Sequence, residues 1–228
     1  MNTVITAPFE LPLDAIQTQL KIRSGTPDET AFLKIAAEVQ SIGQPKALYK
    51  VAYIEAKGPD TVTVDGVTFT SPALRQNCAE INRIFPYIAT CGREVTTIET
   101  APGDLLAGYW LNVLQMSLLR SAIEQVTVTI EGQYQLKKTA TMNPGSGEAS
   151  VWPIEQQTEL FSLFGDVEEQ VGVELLPSYL MMPEMSVSGI FFQTESTYVN
   201  CQLCQRENCP GRRAEFDCEL WEALNTAL

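Results

Sequence analysis

The chain has no histidine. Without imidazole it lacks the commonest general base, every Ser–His or Cys–His nucleophile pair, and imidazole-based metal sites. A metal would have to be held by thiolates, carboxylates or a cofactor. Long apolar runs are missing too. The most apolar stretch, Leu105 to Leu119, is interrupted by Gly108, Asn112, Gln115 and Ser117, whereas a bilayer span needs about 20 mainly apolar residues; no membrane association is expected. Positive charge is scarce: 15 Lys and Arg against 28 Asp and Glu leave a formal net charge of −13 at pH 7. Such a field repels a phosphate backbone, so nucleic acid is excluded as an expected partner. The opening residues, Met1-Asn2-Thr3-Val4-Ile5-Thr6, show neither the basic nor the apolar region of a secretory leader. A reducing cytoplasm is therefore expected, where the six cysteines read as thiols or ligands rather than as a disulfide framework.

What is present suits one globular domain. The 228 residues are 45% hydrophobic and 19% charged, enough for a sizeable core. Val4–Thr6 reads as a strand and Pro12–Leu20 as a helix. Thr26-Pro27-Asp28-Glu29 has the residues of a capped helix start with a capping box, and that helix should bury Phe32, Ile35, Ala36 and Val39 before stopping near Gly43. Ala47–Ile54, Thr61–Val64 and Val67–Phe69 are strand-like, with Asp65-Gly66 as a hairpin turn. Ser71-Pro72 opens a helix whose apolar stripe is Leu74, Cys78, Ile81 and Phe85. Tyr87–Thr90 reads as a strand, and Asp104–Glu124 as a long helix that Val126–Ile130 either extends or leaves as a strand. Leu136–Met142 leads into a sharp loop, Pro153 starts a helix containing Leu160, Phe161 and Leu163, and Ser186–Gln193 is strand-like. A turn-rich segment ends in a short helix over Leu220–Leu228. No repeat or linker divides the chain. The expected class is α+β, a single domain over residues 1–228 with helices packed on a twisted antiparallel or mixed sheet.

Two features could carry chemistry. Within the cysteine-rich segment at 200–218, Cys201-x2-Cys204-x4-Cys209-Pro210 with Cys218 beyond can present four thiolates to a zinc ion or an iron–sulfur cluster. Arg206, Arg212 and Arg213 would favour the thiolate forms. Redox-active or unligated thiols are the alternatives. Cys78 and Cys91, on apolar faces, read as core residues. The second feature is the loop Asn143-Pro144-Gly145-Ser146-Gly147, which could offer backbone N–H groups to an anionic ligand or serve as a plain turn. Asp104 reads as the acid at a helix start. Met181, Met182 and Met185 read as core, although a methionine-rich face also fits a large apolar ligand. No catalytic residue is assigned.

Several segments, in order, resemble a known family. They are Tyr87-Ile88-Ala89-Thr90-Cys91-Gly92-Arg93-Glu94-Val95, Pro102-Gly103-Asp104-Leu105, Asn143 to Gly147, Trp152-Pro153-Ile154-Glu155-Gln156-Gln157, and Met182-Pro183-Glu184-Met185 leading into Ser186-Val187-Ser188-Gly189-Ile190. Together they resemble the reactivation domain of cobalamin-dependent methionine synthase, and the cysteine tail resembles that of its stand-alone relatives. The resemblance implies a methionine synthase activation domain-like α+β fold, S-adenosylmethionine as candidate ligand of Asn143, Pro144, Gly145, Ser146 and Gly147, and a corrinoid protein or corrinoid-dependent methyltransferase as partner, with an electron donor. The implied role is accessory: reductive reactivation of the corrinoid enzyme or docking onto it. The alternative is a non-catalytic binding module with a structural four-cysteine metal site that has lost the methyl-donor site. The family's loop reads Arg-x-x-Pro-Gly-Tyr, its Arg pairing with the ligand carboxylate; Thr141 and Ser146 stand in the Arg and Tyr positions. A lost charge-assisted contact costs roughly 1.5–3 kcal/mol.

Overall fold

The computed structural model describes residues 1–147, 151–195, 198–209 and 212–226, the side chains of 223–226 excepted. The elements in chain order are β1 (Thr3–Thr6), α1 (Leu13–Leu20), α2 (Pro27–Ile42), β2 (Lys46–Tyr49), β3 (Ala52–Lys57), β4 (Thr61–Val64), β5 (Val67–Thr70), α3 (Pro72–Asn77), β6 (Arg83–Thr90), α4 (Leu105–Tyr134), β7 (Thr139–Met142), α5 (Gln157–Ser162), α6 (Val167–Val171), β8 (Glu174–Leu175), β9 (Met181–Met182), β10 (Ser186–Gln193) and α7 (Cys218–Thr226). Eight strands form one antiparallel sheet. Its spine is β6, flanked by β10 on one side and by β2 and then β3 on the other. β7 lies outside β10, β1 outside β2, and the β4–β5 hairpin outside β3. The fold is α+β, as expected, and among the described strands every pairing is antiparallel.

The sheet is buried on both faces because its central strands are apolar at nearly every position. In β6, Phe85, Tyr87 and Ala89 face a first core with Phe32 and Val39 of α2 and Leu114, Leu118 and Val126 of α4. Ile84 and Ile88 face a second core around the fully buried Trp152, with Leu74, Leu160, Ile190 and Phe192. Alternation by one residue sends neighbouring side chains to opposite layers, so helices cover both faces. Among the described residues no helix is long and apolar enough to cross a membrane.

The hairpin and caps form where the sequence marks them. Asp65 and Gly66 both take positive φ, 48° and 79°, as a two-residue primed turn requires. Thr26 accepts from the Glu29 N–H at 3.3 Å, while Glu29 turns to the Gly25 N–H at 2.6 Å instead of closing a box on Thr26. Two further expectations are corrected, and one left open is decided. The strand over Ala47–Ile54 is two strands, because Lys50 stands opposite Pro86: proline has no N–H to continue the ladder, and only Lys50 N to Pro86 O, 3.2 Å, bridges the gap. The helix after Ser71 ends at Asn77, and Phe85 belongs to β6, whose period-two pattern begins at Arg83. Val126–Ile130 extends α4, because Val126 and Ile130 continue the buried row of Leu114, Leu118 and Ala122 at four-residue spacing; packing overrides their β-branched propensity.

Candidate functional site

The loop between β7 and α5 is built as a tight turn. Ser146 N–H donates to Asn143 O at 3.1 Å, and Gly145 N–H donates to Trp152 O at 2.8 Å. Proline second and a glycine of positive φ (75°) third are the residues of a type II turn. A Cβ on Gly145 would also meet Ile154 at 2.9 Å. With the Gly145 and Ser146 N–H groups engaged internally, the loop has the geometry of the turn that its sequence allowed. Asn143 holds it in place: its Nδ2 donates to Ser188 O (2.8 Å) and to the buried Tyr87 hydroxyl (2.9 Å). Its amide crosses Gly189, where a Cβ would collide with Asn143 Nδ2 and approach Met142 O at 2.5 Å. Burial pushes the Tyr87 hydroxyl up to about 12, against the donation from Asn143 and the charge of Arg213.

Beside the loop lies a cavity of about 760 Å³, within the range of small-molecule sites. One wall is Pro144, Gly145, Ser146 and Ile154; the opposite wall is the segment from Leu176 to Met182, which runs from the end of β8 through β9; the floor is Ser186 to Ser188 of β10. Gln157 at the start of α5 ties these together, donating to Tyr179 O (2.7 Å) and accepting from Ser188 Oγ (2.9 Å). Met181 and Met182 both line the cavity; Met181 also packs partly buried against the second core, whereas Met182 is 39% exposed. Met185 instead packs partly buried against the first core. The polar lining residues are Asn143, Ser146, Gln157, Tyr179, two serines of β10, the exposed Glu184, and Arg213. Thr141 is not among the lining residues. It pairs with Phe191 on β10, in the row whose Thr139 donates to Glu131 of α4 at 2.7 Å.

The cysteine-rich segment packs against the outer side of this loop. Asn200–Leu203 forms a 3-10 turn, with Leu203 fully buried in the second core. Asn200 Nδ2 donates to Asn143 Oδ1 at 3.2 Å, and a Cβ on Gly147 would lie 3.9 Å from Cys204 Cβ. Asp217 N–H donates to Gln202 O at 2.8 Å, bringing the start of α7 to the same turn. Arg212 is engaged by carbonyls: those of Ala214 and Cys204, each at 3.1 Å, and that of Arg206. Burial raises the Cys201 thiol, but N–H donation from Arg213 and Ala214 and the Arg213 charge outweigh it and leave the thiol lowered. Cys218 goes the opposite way: its Sγ faces Glu222 Oε1 at 3.8 Å, and Glu222, with Glu219 and Asp217, raises it. Among the described residues no group of three or more Cys, Asp or Glu side chains is placed to hold a metal ion. Pro210, in the Cys-Pro step, lies outside the described residues. Cys78 and Cys91 are fully buried, and burial pushes both thiols up to about 12.

The fold is that of a reactivation domain: the chain superposes on a crystal structure of the MetH reactivation domain bound to AdoHcy with a TM-score of 0.58, at 15% identity, over 87% of this chain and 80% of that one. Residues 126–213 match the family model described as the vitamin B12 dependent methionine synthase activation domain, so that stretch is similar in sequence to that domain. No curated protein matches the chain in sequence. The matched stretch begins in the second half of α4 and ends at Arg213, so it contains the loop, the cavity floor and three of the four clustered cysteines. Sequence patterns located the loop and, through the methionine-rich alternative, Met181 and Met182, but gave no role to Gln157, Glu184 or Leu176–Leu180.

Proposed function

We propose that the chain binds S-adenosylmethionine in the cavity beside Asn143–Gly147 and acts as an accessory to a corrinoid-dependent methyltransferase, presenting the methyl donor to the corrinoid of a partner protein. One observation carries this reading: every described residue lining the cavity, from Asn143 to Arg213, falls within the stretch that matches the activation-domain family. The chemistry of the lining agrees. Leu176, Leu180 and Met181 offer apolar contact to a flat base, the serines and Gln157 offer hydrogen bonds to hydroxyls, and Arg213 with Glu184 can face the two charges of an amino-acid tail. Methyl transfer from a sulfonium needs no proton taken by the protein, so the missing histidine is no obstacle. The chain's contribution is position.

For the cysteine segment we propose, from its spacing, that Cys201, Cys204, Cys209 and Cys218 hold zinc or an iron–sulfur cluster. Cys201 has surroundings suited to a thiolate ligand, whereas Cys218 is turned toward carboxylates, so among the described residues no closed shell is arranged and no step of the function is derived through such a group. Metal and sulfide analysis of protein purified without oxygen decides the point. Stoichiometric zinc, or iron with sulfide, supports the site; metal-free protein removes it.

The functional test is anaerobic reconstitution. The protein is mixed with a corrinoid protein in its inactive one-electron-oxidised state, a low-potential one-electron donor and S-adenosylmethionine. Faster formation of methyl-corrinoid, with S-adenosylhomocysteine in equal amount, is expected. An unchanged rate at saturating protein would refute the accessory role.

A further inference from the structure

We propose that Arg213, delivered by the cysteine-rich segment, is the carboxylate anchor of the cavity, so that ligand binding is coupled to the seating of the segment that carries Cys201 and Arg213. The inference rests on reading the cavity as a site for a ligand with an amino-acid tail. Arg213 is the one Lys or Arg among the described lining residues. A carboxylate entering a largely apolar cavity needs a cation, since an unpaired buried charge is costly, and an Arg guanidinium suits it by geometry. β7 supplies none: Thr141 sits in the row that faces α4, outside the lining.

The position of Arg213 is built from the segment around it. Its own N–H donates to Cys201 Sγ at 3.4 Å. Next to it, Arg212 is clamped on the carbonyls of Cys204 and Ala214. The turn carrying Cys201 is tied to the cavity loop through Asn200 and Asn143. The charge of Arg213 reaches the Tyr87 hydroxyl that Asn143 holds. A ligand that bonds Arg213 therefore favours the seated segment, and a displaced segment weakens the ligand, by the same factor in both directions.

The test titrates wild type, Arg213→Met and Arg213→Lys calorimetrically with S-adenosylhomocysteine. It repeats the titrations with 5′-methylthioadenosine, which keeps the nucleoside and sulfur but lacks the amino-acid tail. Arg213→Met should weaken S-adenosylhomocysteine roughly ten- to a hundredfold, leave 5′-methylthioadenosine unchanged, and be partly rescued in Arg213→Lys. S-adenosylhomocysteine should also slow backbone hydrogen exchange at residues 199–209 in wild type but not in Arg213→Met. Wild type that binds neither compound overturns the cavity reading and this inference with it. Wild type and Arg213→Met binding S-adenosylhomocysteine alike overturns the inference alone. Equal loss of both compounds in Arg213→Met, at an unchanged melting temperature, also contradicts it, because the residue would then not act through the carboxylate.

Discussion

Asn143 is the residue on which the site turns. Its amide joins the loop to β10, to Tyr87 and to Asn200, so an alanine there leaves a buried hydroxyl and a strand carbonyl without their donor. Each such orphan costs about 1–3 kcal/mol. Asn143→Ala is expected to lose that order of stability in urea denaturation, and an aspartate, which cannot donate, should do no better. Gly189→Ala should reproduce the loss without touching a hydrogen-bonding group, because a Cβ there occupies the place of the Asn143 amide. A second residue-scale effect comes from Cys78 and Cys91. Both thiols titrate at about 12 in the fold, against 9.0 for an unperturbed thiol. Folding with the proton retained is fully favoured below about pH 9. Above it the unfolded chain releases protons that the fold keeps, so stability falls as pH rises toward 12. The urea midpoint should therefore drop between about pH 8 and about pH 10, and Cys91→Ala should show a shallower drop.

At the scale of elements, local signals set some boundaries and long-range pairing set others. Asp104 could be read as a helix start from sequence, and it caps α4 by accepting from Ala107 N–H at 2.9 Å. Asp104→Ala should cost about 1 kcal/mol and Asp104→Asn far less, measured by thermal unfolding. The hairpin at Asp65-Gly66 and the strand at Ser186–Gln193 were equally legible, because turn chemistry and alternation are written in adjacent residues. The split between β2 and β3 was not. Its cause, Pro86, lies far along the chain and acts only once Lys50 is placed opposite it. The rest of the cavity wall, Leu176 to Leu180 beside the methionines, was invisible for a similar reason. Two short strands with little periodicity pair with each other, and Gln157 holds the connection between them by donating to Tyr179 O.

For the whole molecule, the fold places the loop, β10 and the cysteine segment around one cavity on the side of the sheet that Trp152 anchors. Cysteine spacing points to candidate ligands alone; the structure adds that the segment's turn is sewn to the cavity loop and that Arg213 enters the lining, a relation no spacing rule encodes because it joins residues far apart in sequence. Trp152, fully buried and edge-on to Phe69 at 5.7 Å, ties the cavity loop to this core by accepting the Gly145 N–H on its backbone carbonyl. Trp152→Ala should cost about 3–5 kcal/mol in chemical denaturation and weaken ligand binding with it. The most direct test of the central claim is hydrogen exchange read by mass spectrometry, with and without S-adenosylhomocysteine. Protection confined to residues 143–147, 176–188 and 199–213 is predicted. Uniform exchange in both states, or protection only on the α1–α4 side of the sheet, would contradict the assignment of this cavity as the ligand site.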